Sequence, residues 1–161
     1  MKKIILLALF TIFVFYGCEK DDFCIKNPVT PNLVLRFYDD ADRTSLKTAQ
    51  QLSVWAENKD TIVTYTSTNT DSIAIPLNSA ANTTTYYFKT NATDTSISNN
   101  EVSSFVINYI PKEEYVSRSC GFKIIFENVS FSAQNGWIKD FSPATLTTIN
   151  NQNAAHVQIF H

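Results

Sequence analysis

The stretch GFKIIFE (Gly121–Glu127) alternates hydrophobic side chains with a mixed set. The first set of alternate residues is Phe122, Ile124 and Phe126. The second set is Lys123, Ile125 and Glu127. Successive side chains of a β-strand point to opposite faces, so the first set is predicted to face a core and the second to face solvent. Ile125 shares the solvent side with two charged residues, which predicts that a loop covers it or that it belongs to a contact surface.

The same alternation with a period of two recurs along the chain. The further residues that it predicts to face the core are Leu33, Leu35, Phe37, Leu52, Val54, Ala56, Ile73, Ile75, Leu77, Tyr86, Phe88, Phe105, Ile107, Tyr109, Val157 and Ile159. Short strands rich in β-branched and aromatic residues are typical of a sandwich or barrel. We predict an all-β fold, a single antiparallel β-sandwich of immunoglobulin-like or transthyretin-like type over residues 32–161, with room for one or two helical turns only at Ser45–Leu52.

Three positions carry turn or edge signals in this chain, which has only three glycines. Asn135-Gly136 is the clearest hairpin signal, because both residues tolerate the positive φ that a type I′ turn requires. Gly121 is predicted to mark a bulge or a close backbone approach. Pro76 has no N–H to donate, which predicts that its strand ends there or lies at a sheet edge.

The N-terminus has the pattern of a secretory signal peptide. Lys2 and Lys3 precede the apolar run Ile4–Tyr16, and the small residue Gly17 follows it. A positive start, a short apolar run and a small residue before the cut define such a signal. The run of 13 residues covers about 20 Å as a helix, less than the roughly 30 Å of a bilayer core, so a transmembrane helix is excluded on length.

Gly17-Cys18 resembles the lipobox of bacterial lipoproteins, whose cysteine receives a diacylglycerol thioether and becomes the acylated N-terminus after cleavage. Phe15 and Tyr16 stand where that box usually has Leu and then Ala or Ser. An ordinary signal peptide followed by a chance cysteine is the alternative. The resemblance implies a cleaved signal peptide at residues 1–17, palmitate or a related acyl chain at Cys18, and a lipidated tether at residues 18–31 that attaches the protein to a membrane.

A short charged segment follows the cysteine. Lys20, Asp21 and Asp22 resemble the surface-export signal that carries lipoproteins of one group of Gram-negative bacteria to the outer leaflet of the outer membrane. The resemblance implies a cell-surface location. The periplasmic face of the same membrane and a plain solvated tether remain as alternatives.

Two cysteines, Cys24 and Cys120, remain if Cys18 carries lipid. Exported proteins with an even number of cysteines usually pair them, so a disulfide is predicted, with a reactive thiol at either position as the alternative. Removing residues 1–17 from the chain of 161 leaves 144 residues and changes the formal net charge from −2 to −4. That length suits one domain, and the acidic balance gives no electrostatic attraction for nucleic acid.

Three segments carry a family resemblance. TPNLVLRFYD (Thr30–Asp39), RSCGFKIIFEN (Arg118–Asn128) and AHVQIF (Ala155–Phe160) resemble an uncharacterised domain-of-unknown-function family of small bacterial outer-membrane lipoproteins of the Bacteroidota type. The resemblance implies a lipid-anchored all-β domain with a paired cysteine. It implies no activity.

Few residues offer catalytic or metal chemistry. A spacing of five places His156 and His161, the only histidines, on opposite faces of one strand, where they cannot share a metal. Asp39, Asp40 and Asp42 are weak candidates for a hard cation such as Ca²⁺, but they lack the glycine and distal glutamate of an EF-hand, and an acidic turn is the plainer interpretation. No nucleophile motif or phosphate-binding glycine loop is present. The sequence therefore predicts no enzyme, no metal and no cofactor.

Exposed aromatic and hydroxyl side chains are the remaining candidates. Trp55, Trp137 and the seven tyrosines are candidate stacking platforms for a sugar or a protein partner, with core or half-buried structural positions as the alternative. Trp55 lies opposite in parity to Leu52, Val54 and Ala56. Thr61 and Ser72 lie in Asp-Thr-Ile and Asp-Ser-Ile triplets that resemble O-glycosylation sites of exported bacterial proteins, although a chain rich in Ser and Thr also yields such triplets by chance.

Together these features predict a lipid-anchored protein of the outer membrane that acts as a non-catalytic binding or structural accessory of the cell envelope. A carbohydrate-binding surface lipoprotein is the first alternative, and a hydrolytic enzyme is the least favoured. The expected partners are the membrane, through the lipid, and an envelope protein or a glycan.

Overall fold

The structure is a computed structural model that describes residue 24 and residues 29–91, 102–134 and 136–161. The signal peptide, Cys18, Lys20, Asp21 and Asp22 lie outside the described residues, and so does Asn135. Predictions that fall on those positions therefore remain predictions. Within the described residues, no helix has the length and apolar character needed to cross a bilayer.

The described residues form ten strands and one 3-10 turn. In chain order they are β1 (Leu33–Tyr38), β2 (Ala49–Ala56), the 3-10 turn η1 (Val63–Tyr65), β3 (Thr68–Thr70), β4 (Ser72–Ile75), β5 (Thr83–Lys89), β6 (Val102–Ser117), β7 (Gly121–Gln134), β8 (Asp140–Ser142), β9 (Thr145–Ile149) and β10 (Val157–Phe160). The segment Ser45–Leu52 contains no helical turn, because β2 already begins at Ala49 and Leu46 bridges to Tyr38.

The strands build two sheets. A four-stranded sheet has the order β4-β1-β10-β8, and a six-stranded sheet has the order β3-β2-β5-β6-β7-β9. Strands β1 and β10 pair in parallel, with Leu35 opposite Val157, whereas β4 and β8 flank them in antiparallel pairs. The predicted all-β sandwich is confirmed, with one parallel pair in an otherwise antiparallel architecture. The prediction from Pro76 is also confirmed, since β4 is an edge strand and ends at Ile75.

The core lies between the two sheets and contains most of the residues that the alternation predicts, although Ala56 is only partly buried. Leu33, Leu35 and Phe37 of β1 are fully buried, as are the inward residues of β2 and β5. Ring contacts join the sheets: Phe105 of β6 lies 5.5 Å from Phe141 of β8, measured between ring centroids. Burial of aromatic side chains from both sheets supplies most of the favourable free energy of such a core.

The alternation is wrong at the start of β7. Phe122 is 60% exposed and packs its ring against Tyr115 at 5.4 Å, so its predicted place in the core is wrong. Ile125 is 6% exposed but lies outside the main core cluster, as expected for a side chain that is covered on the outer face. Phe126 is buried as predicted, and Ile124 packs partly against the core. Beyond them the inward residues become Val129 and Phe131, because Asn128 has a φ of 52° and shifts the alternation by one residue. A strand keeps strict alternation only while its backbone stays extended.

The turn at Asn135-Gly136 lies partly outside the described residues, but the strands that flank it, β7 and β8, do not pair as the predicted hairpin requires. Strand β7 belongs to the six-stranded sheet and β8 to the four-stranded sheet, so the chain crosses between sheets at this point. Trp137 follows the crossing, is 6% exposed, and donates its indole N–H to the carbonyl of Phe88 at 3.0 Å. The main-chain N–H of Ile138 donates to the hydroxyl of buried Ser103. Gly136 therefore lies in a crossover between the two sheets, and the residues that follow it pack against the core.

Gly136 and Gly121 form a matched pair for a stability test. A Cβ on Gly136, whose φ is +85°, would lie 2.4 Å from the carbonyl oxygen of Val102, whereas a Cβ on Gly121, whose φ is +70°, meets nothing within 4 Å. The close approach predicted for Gly121 is therefore wrong, although its positive φ suits glycine.

We expect Gly136→Ala to lower the free energy of unfolding by about 2–4 kcal/mol, because a steric overlap adds to the backbone strain. Gly121→Ala is expected to cost only the strain, about 1–2 kcal/mol. Denaturant midpoints of the two variants measure the difference. Equal losses would contradict the close packing of Gly136.

A smaller compact unit contains Cys24 together with the segment Tyr115–Phe122. We name the segment Tyr115–Phe122 the β6–β7 tip. Cys24 and Cys120 form a disulfide with their Cα atoms 4.7 Å apart, which confirms the predicted pairing. The hydroxyl of Ser117 accepts a hydrogen bond from the main-chain N–H of Cys120 at 3.1 Å. The disulfide joins positions that are 96 residues apart in the chain.

Candidate functional site

A pair of aromatic rings lies on the outer face of the six-stranded sheet. Trp55 of β2 stands directly opposite Tyr87 of β5, and their ring centroids are 5.6 Å apart with 20° between the planes. Both rings are partly exposed. Their neighbours Val54 and Phe88 point into the core, so the alternation of the two strands places both rings on the opposite face.

An open cleft of about 460 Å³ lies beside this pair. Its lining residues are Ser53, Trp55, Lys59, Asp60, Thr61 and Lys89. We name it the Trp55 cleft. Ser53 and Lys89 are opposite each other in the β2–β5 register, two pairs along from Trp55 and Tyr87 and therefore on the same face.

The other side of the Trp55 cleft is built by the turn after β2. The main-chain N–H of Lys59 donates to the carbonyl of Ala56 at 3.0 Å, and Asn58 takes a φ of 58°. The chain then returns along β2, where Thr61 forms an isolated bridge with Trp55. These backbone bonds hold Lys59, Asp60 and Thr61 next to the indole ring.

The Trp55 cleft offers an aromatic surface together with hydrogen-bonding groups of both kinds. Lysine ammonium groups donate, a carboxylate accepts, and a hydroxyl does both. Its volume falls in the range of small-molecule sites, about 300–1,000 Å³. An indole presents a broad apolar face with a polar edge. The arrangement suits a polar ring with an apolar face, such as a sugar.

His156 is held by backbone hydrogen bonds on both ring nitrogens. Its Nδ1 accepts from the main-chain N–H of Val34 at 2.9 Å, so the neutral ring carries its proton on Nε2, which lies 2.9 Å from the carbonyl oxygen of Asn151. The main-chain N–H of His156 donates in turn to the carbonyl of Val34 at 2.8 Å. The imidazole therefore fixes the entry into β10 and has no nitrogen free to act as a general base.

His161 occupies a different place, beyond the end of β10. Its ring meets Trp137 edge-on at 4.9 Å and Phe37 at 6.0 Å, between centroids. The ammonium group of Lys47 donates to the carbonyl of His161 at 2.7 Å. The two histidines lie at opposite ends of β10, and each one has a structural role.

Protonation of the histidines is expected to destabilise the fold. Burial lowers the pKa of both His156 and His161 below 6.5, and a proton on Nδ1 of His156 would also break its bond from Val34. The unfolded chain therefore binds protons at a higher pH than the folded protein does. The free energy of unfolding should be fully present above about pH 6.5 and fall as the pH drops toward the folded-state pKa values.

Denaturant midpoints between about pH 7.5 and 5 measure this slope. His156→Gln should reduce it, since the variant loses one titrating group while its side-chain oxygen can still accept a hydrogen bond. A flat wild-type profile over this range would contradict the prediction. Hydrogen bonds hold the pKa of Asp39, Asp42 and Asp140 below 3.8, so their contribution is lost only at lower pH.

The three aspartates considered as cation ligands are held by neighbours in the turn after β1. Asp39 accepts from the main-chain N–H of Ala41 at 2.8 Å, and Asp42 accepts from the hydroxyls of Thr44 and Ser45. Asp40 and Asp140 both pair with Arg43, at 2.8 and 2.7 Å. Among the described residues, no three His, Cys, Asp or Glu side chains are grouped to hold a metal. The plainer interpretation, an acidic turn, fits these contacts.

The two candidate glycosylation residues have different surroundings. Thr61 lines the open Trp55 cleft. Ser72 lies in β4, is partly buried, and donates its hydroxyl to the carbonyl of Leu35 at 3.2 Å. A sugar on Ser72 would therefore replace a hydrogen bond inside the four-stranded sheet, whereas Thr61 offers space. Modification of either residue remains a prediction.

Sequence reasoning identified Trp55 but missed the rest of its cleft. The parity of Tyr87 against Tyr86 and Phe88 was available as a signal for an outward ring. Lys89 joins the site only through the β2–β5 register, and Lys59 and Asp60 join it only through the turn that returns along β2. Neither the register nor the turn conformation can be read from a single sequence.

A family model supports part of the sequence-based assignment. The model of a family of unknown function (DUF6452) matches residues 51–161. The match includes the segments Arg118–Asn128 and Ala155–Phe160, and it begins after Thr30–Asp39. No curated protein and no solved structure matches the chain.

Proposed function

The chain belongs to the DUF6452 family of unknown function, and we propose that it is a non-catalytic binding or accessory protein of the cell envelope, held on the outer membrane by a lipid at Cys18. The observation that carries the proposal is the Cys24–Cys120 disulfide. Disulfides persist in oxidising compartments and are rare in the cytosol. The pairing also leaves Cys18 as the odd cysteine, directly after the predicted cleavage site.

The histidines support a non-catalytic role. A general base needs a ring nitrogen within reach of a substrate proton. Both nitrogens of His156 lie within 2.9 Å of backbone groups, and His161 packs edge-on against Trp137. The open Trp55 cleft is instead lined by aromatic, charged and hydroxyl side chains, which favours recognition over reaction.

The anchor can be tested by labelling and fractionation in cells. Cys18→Ser is expected to abolish incorporation of labelled palmitate and to release the protein from the membrane fraction. Cys24→Ser is the matched control, because it should keep the label. Continued membrane attachment of Cys18→Ser, together with an unlabelled wild type, would refute the anchor.

The surface location needs its own variant. Replacing Lys20, Asp21 and Asp22 together with alanine should leave the lipid in place and reduce the protein's accessibility to protease in whole cells. Unchanged accessibility would remove the support that these residues give to surface export, while the anchor itself would stand.

A carbohydrate is the second candidate partner, favoured by the Trp55 cleft. Stacking on Trp55 would cover the apolar face of a sugar ring, and Lys59, Asp60 and Lys89 would bind its hydroxyls. A glycan array screened with the wild-type protein should give retained ligands. Trp55→Ala should weaken their binding at least about tenfold, which corresponds to about 1.4 kcal/mol.

Tyr115→Ala is the control for that screen, because Tyr115 is an exposed aromatic residue outside the cleft. Its binding should equal that of the wild type. Retained glycans that bind Trp55→Ala as well as the wild type, or no retained glycan at all, would contradict the sugar assignment.

A further inference from the structure

Two aromatic side chains at the β6–β7 tip are exposed together. Tyr115 and Phe122 are each 60% exposed, and their rings meet at 5.4 Å with 66° between the planes. Each ring therefore contacts the other, and each residue leaves more than half of its surface to solvent. Phe122 differs in its exposure from Phe37, Phe88, Phe105 and Phe126, which are fully buried.

The disulfide fixes how far this pair can lie from Cys18. Cys120 belongs to the tip, and its Cα lies 4.7 Å from that of Cys24. Cys18 precedes Cys24 by six residues, and an extended chain spans at most about 3.3–3.6 Å per residue, so the reach is about 20 Å. The six-residue span and the disulfide thus hold the Cα atom of Cys120 within about 25 Å of that of Cys18, and Phe122 follows Cys120 by two residues.

We propose that Tyr115 and Phe122 form a second membrane contact, in the headgroup region of the leaflet that holds the lipid at Cys18. The inference rests on the proposed lipid anchor. An acylated Cys18 would lie at the membrane surface, and the short tether would keep the aromatic pair at a high local concentration next to that surface. A lipid surface is favoured over a protein partner because the tether itself supplies the lipid.

The chemistry of the tip fits a bilayer interface. Tyrosine is enriched at membrane–water interfaces, where its ring meets the acyl boundary and its hydroxyl meets water. Phenylalanine adds apolar area that can enter about 5–10 Å into the headgroup and acyl boundary. The segment Tyr115–Phe122 contains one charged residue, Arg118, and no carboxylate, so lipid phosphates would meet no repulsion from it.

Quenching by brominated lipids tests the contact on the acylated protein. Phe122→Trp and Val63→Trp would each be purified from their own membrane and placed in vesicles of phosphatidylethanolamine and phosphatidylglycerol with bromine on the upper acyl chains. Val63 is 90% exposed and lies outside the compact unit that contains the tip, so it is the matched control. The native residues Trp55 and Trp137 contribute the same background fluorescence emission in both variants. Tyr115→Trp probes the same surface if Phe122→Trp does not fold.

The added emission of Phe122→Trp should fall by about half in brominated vesicles, as expected for a ring at the acyl boundary. The added emission of Val63→Trp should stay unchanged. Vesicle-bound protein with no quenching of Phe122→Trp, or with equal quenching of both variants, would overturn the membrane contact and leave the anchor intact. Absence of Phe122→Trp quenching in vesicle-bound protein would instead indicate that a protein partner covers the aromatic pair. Protein without an acyl chain, free of the vesicles, would overturn both proposals.

Discussion

Replacing Phe105 with alanine is expected to lower the free energy of unfolding by about 3–5 kcal/mol. Phe105 is fully buried, and its ring lies between those of three others, Phe88, Phe131 and Phe141. Phe141 belongs to the opposite sheet, so the substitution removes contacts within one sheet and between the two. The loss combines the transfer free energy of the ring with the cavity that remains.

Phe122→Ala is the matched control, because it deletes the same atoms from a side chain that is 60% exposed. We expect it to cost about 0.5–1.5 kcal/mol, the usual worth of one aromatic pair. Denaturant midpoints at a constant slope measure both variants. Equal losses would contradict the exposure of Phe122 and would restore the strict alternation that the sequence predicts for β7.

Reducing the Cys24–Cys120 disulfide is expected to lower the free energy of unfolding by up to about 4–5 kcal/mol in the chain-entropy model. The bond closes a loop of 96 residues in the unfolded chain, and long loops carry the larger entropic effect. The measurement is an unfolding curve of the mature protein with and without reductant.

The double variant Cys24→Ser, Cys120→Ser controls for other effects of the reductant. Its stability should match that of the reduced wild type and should not respond to reductant. Thiol titration of the unfolded, unreduced wild type should find neither Cys24 nor Cys120 free. Two free thiols in protein from an oxidising compartment would contradict the pairing.

Most strands of the sandwich could be predicted from the sequence because they bury a single face. Leu33, Leu35 and Phe37 lie at alternate positions, and the same rule holds for β4, β5 and the first part of β6. It fails in part in β2, where Ser53 is buried between Leu52 and Val54, and at the end of β10, where Ile159 and Phe160 are both buried. Alternation is a local property, so a single sequence contains it.

The errors occur where the structure depends on contacts or backbone angles that are not local. The alternation in β7 changes at Asn128, whose positive φ has no clear signal in GFKIIFEN. Gly136 has the positive φ that its turn signal predicts, yet the chain continues into the other sheet, because Trp137 and Ile138 bond to β5 and β6. A turn signal predicts a change of direction and does not identify the strand that follows.

The candidate site shows the same division between local and distant information. The alternation of β2 alone predicts that Trp55 faces away from the core. The alternation of β5 predicts the same for its partner Tyr87. The combination of Lys59, Asp60 and Lys89 in the lining of the Trp55 cleft depends on strand register and on a turn, which are fixed by the packed fold. The disulfide could be predicted from the count of cysteines, since that argument needs no geometry.

The intact mass of the protein purified from its own membrane, with the sequence of its first peptide, tests the central proposal most directly. We predict that residues 1–17 are absent and that Cys18 is the N-terminal residue carrying a diacylglyceryl group and a further acyl chain. We also predict that Cys24 and Cys120 remain joined in the same sample. A mature chain that begins at another residue, or a Cys18 without acyl mass, would contradict the lipid anchor.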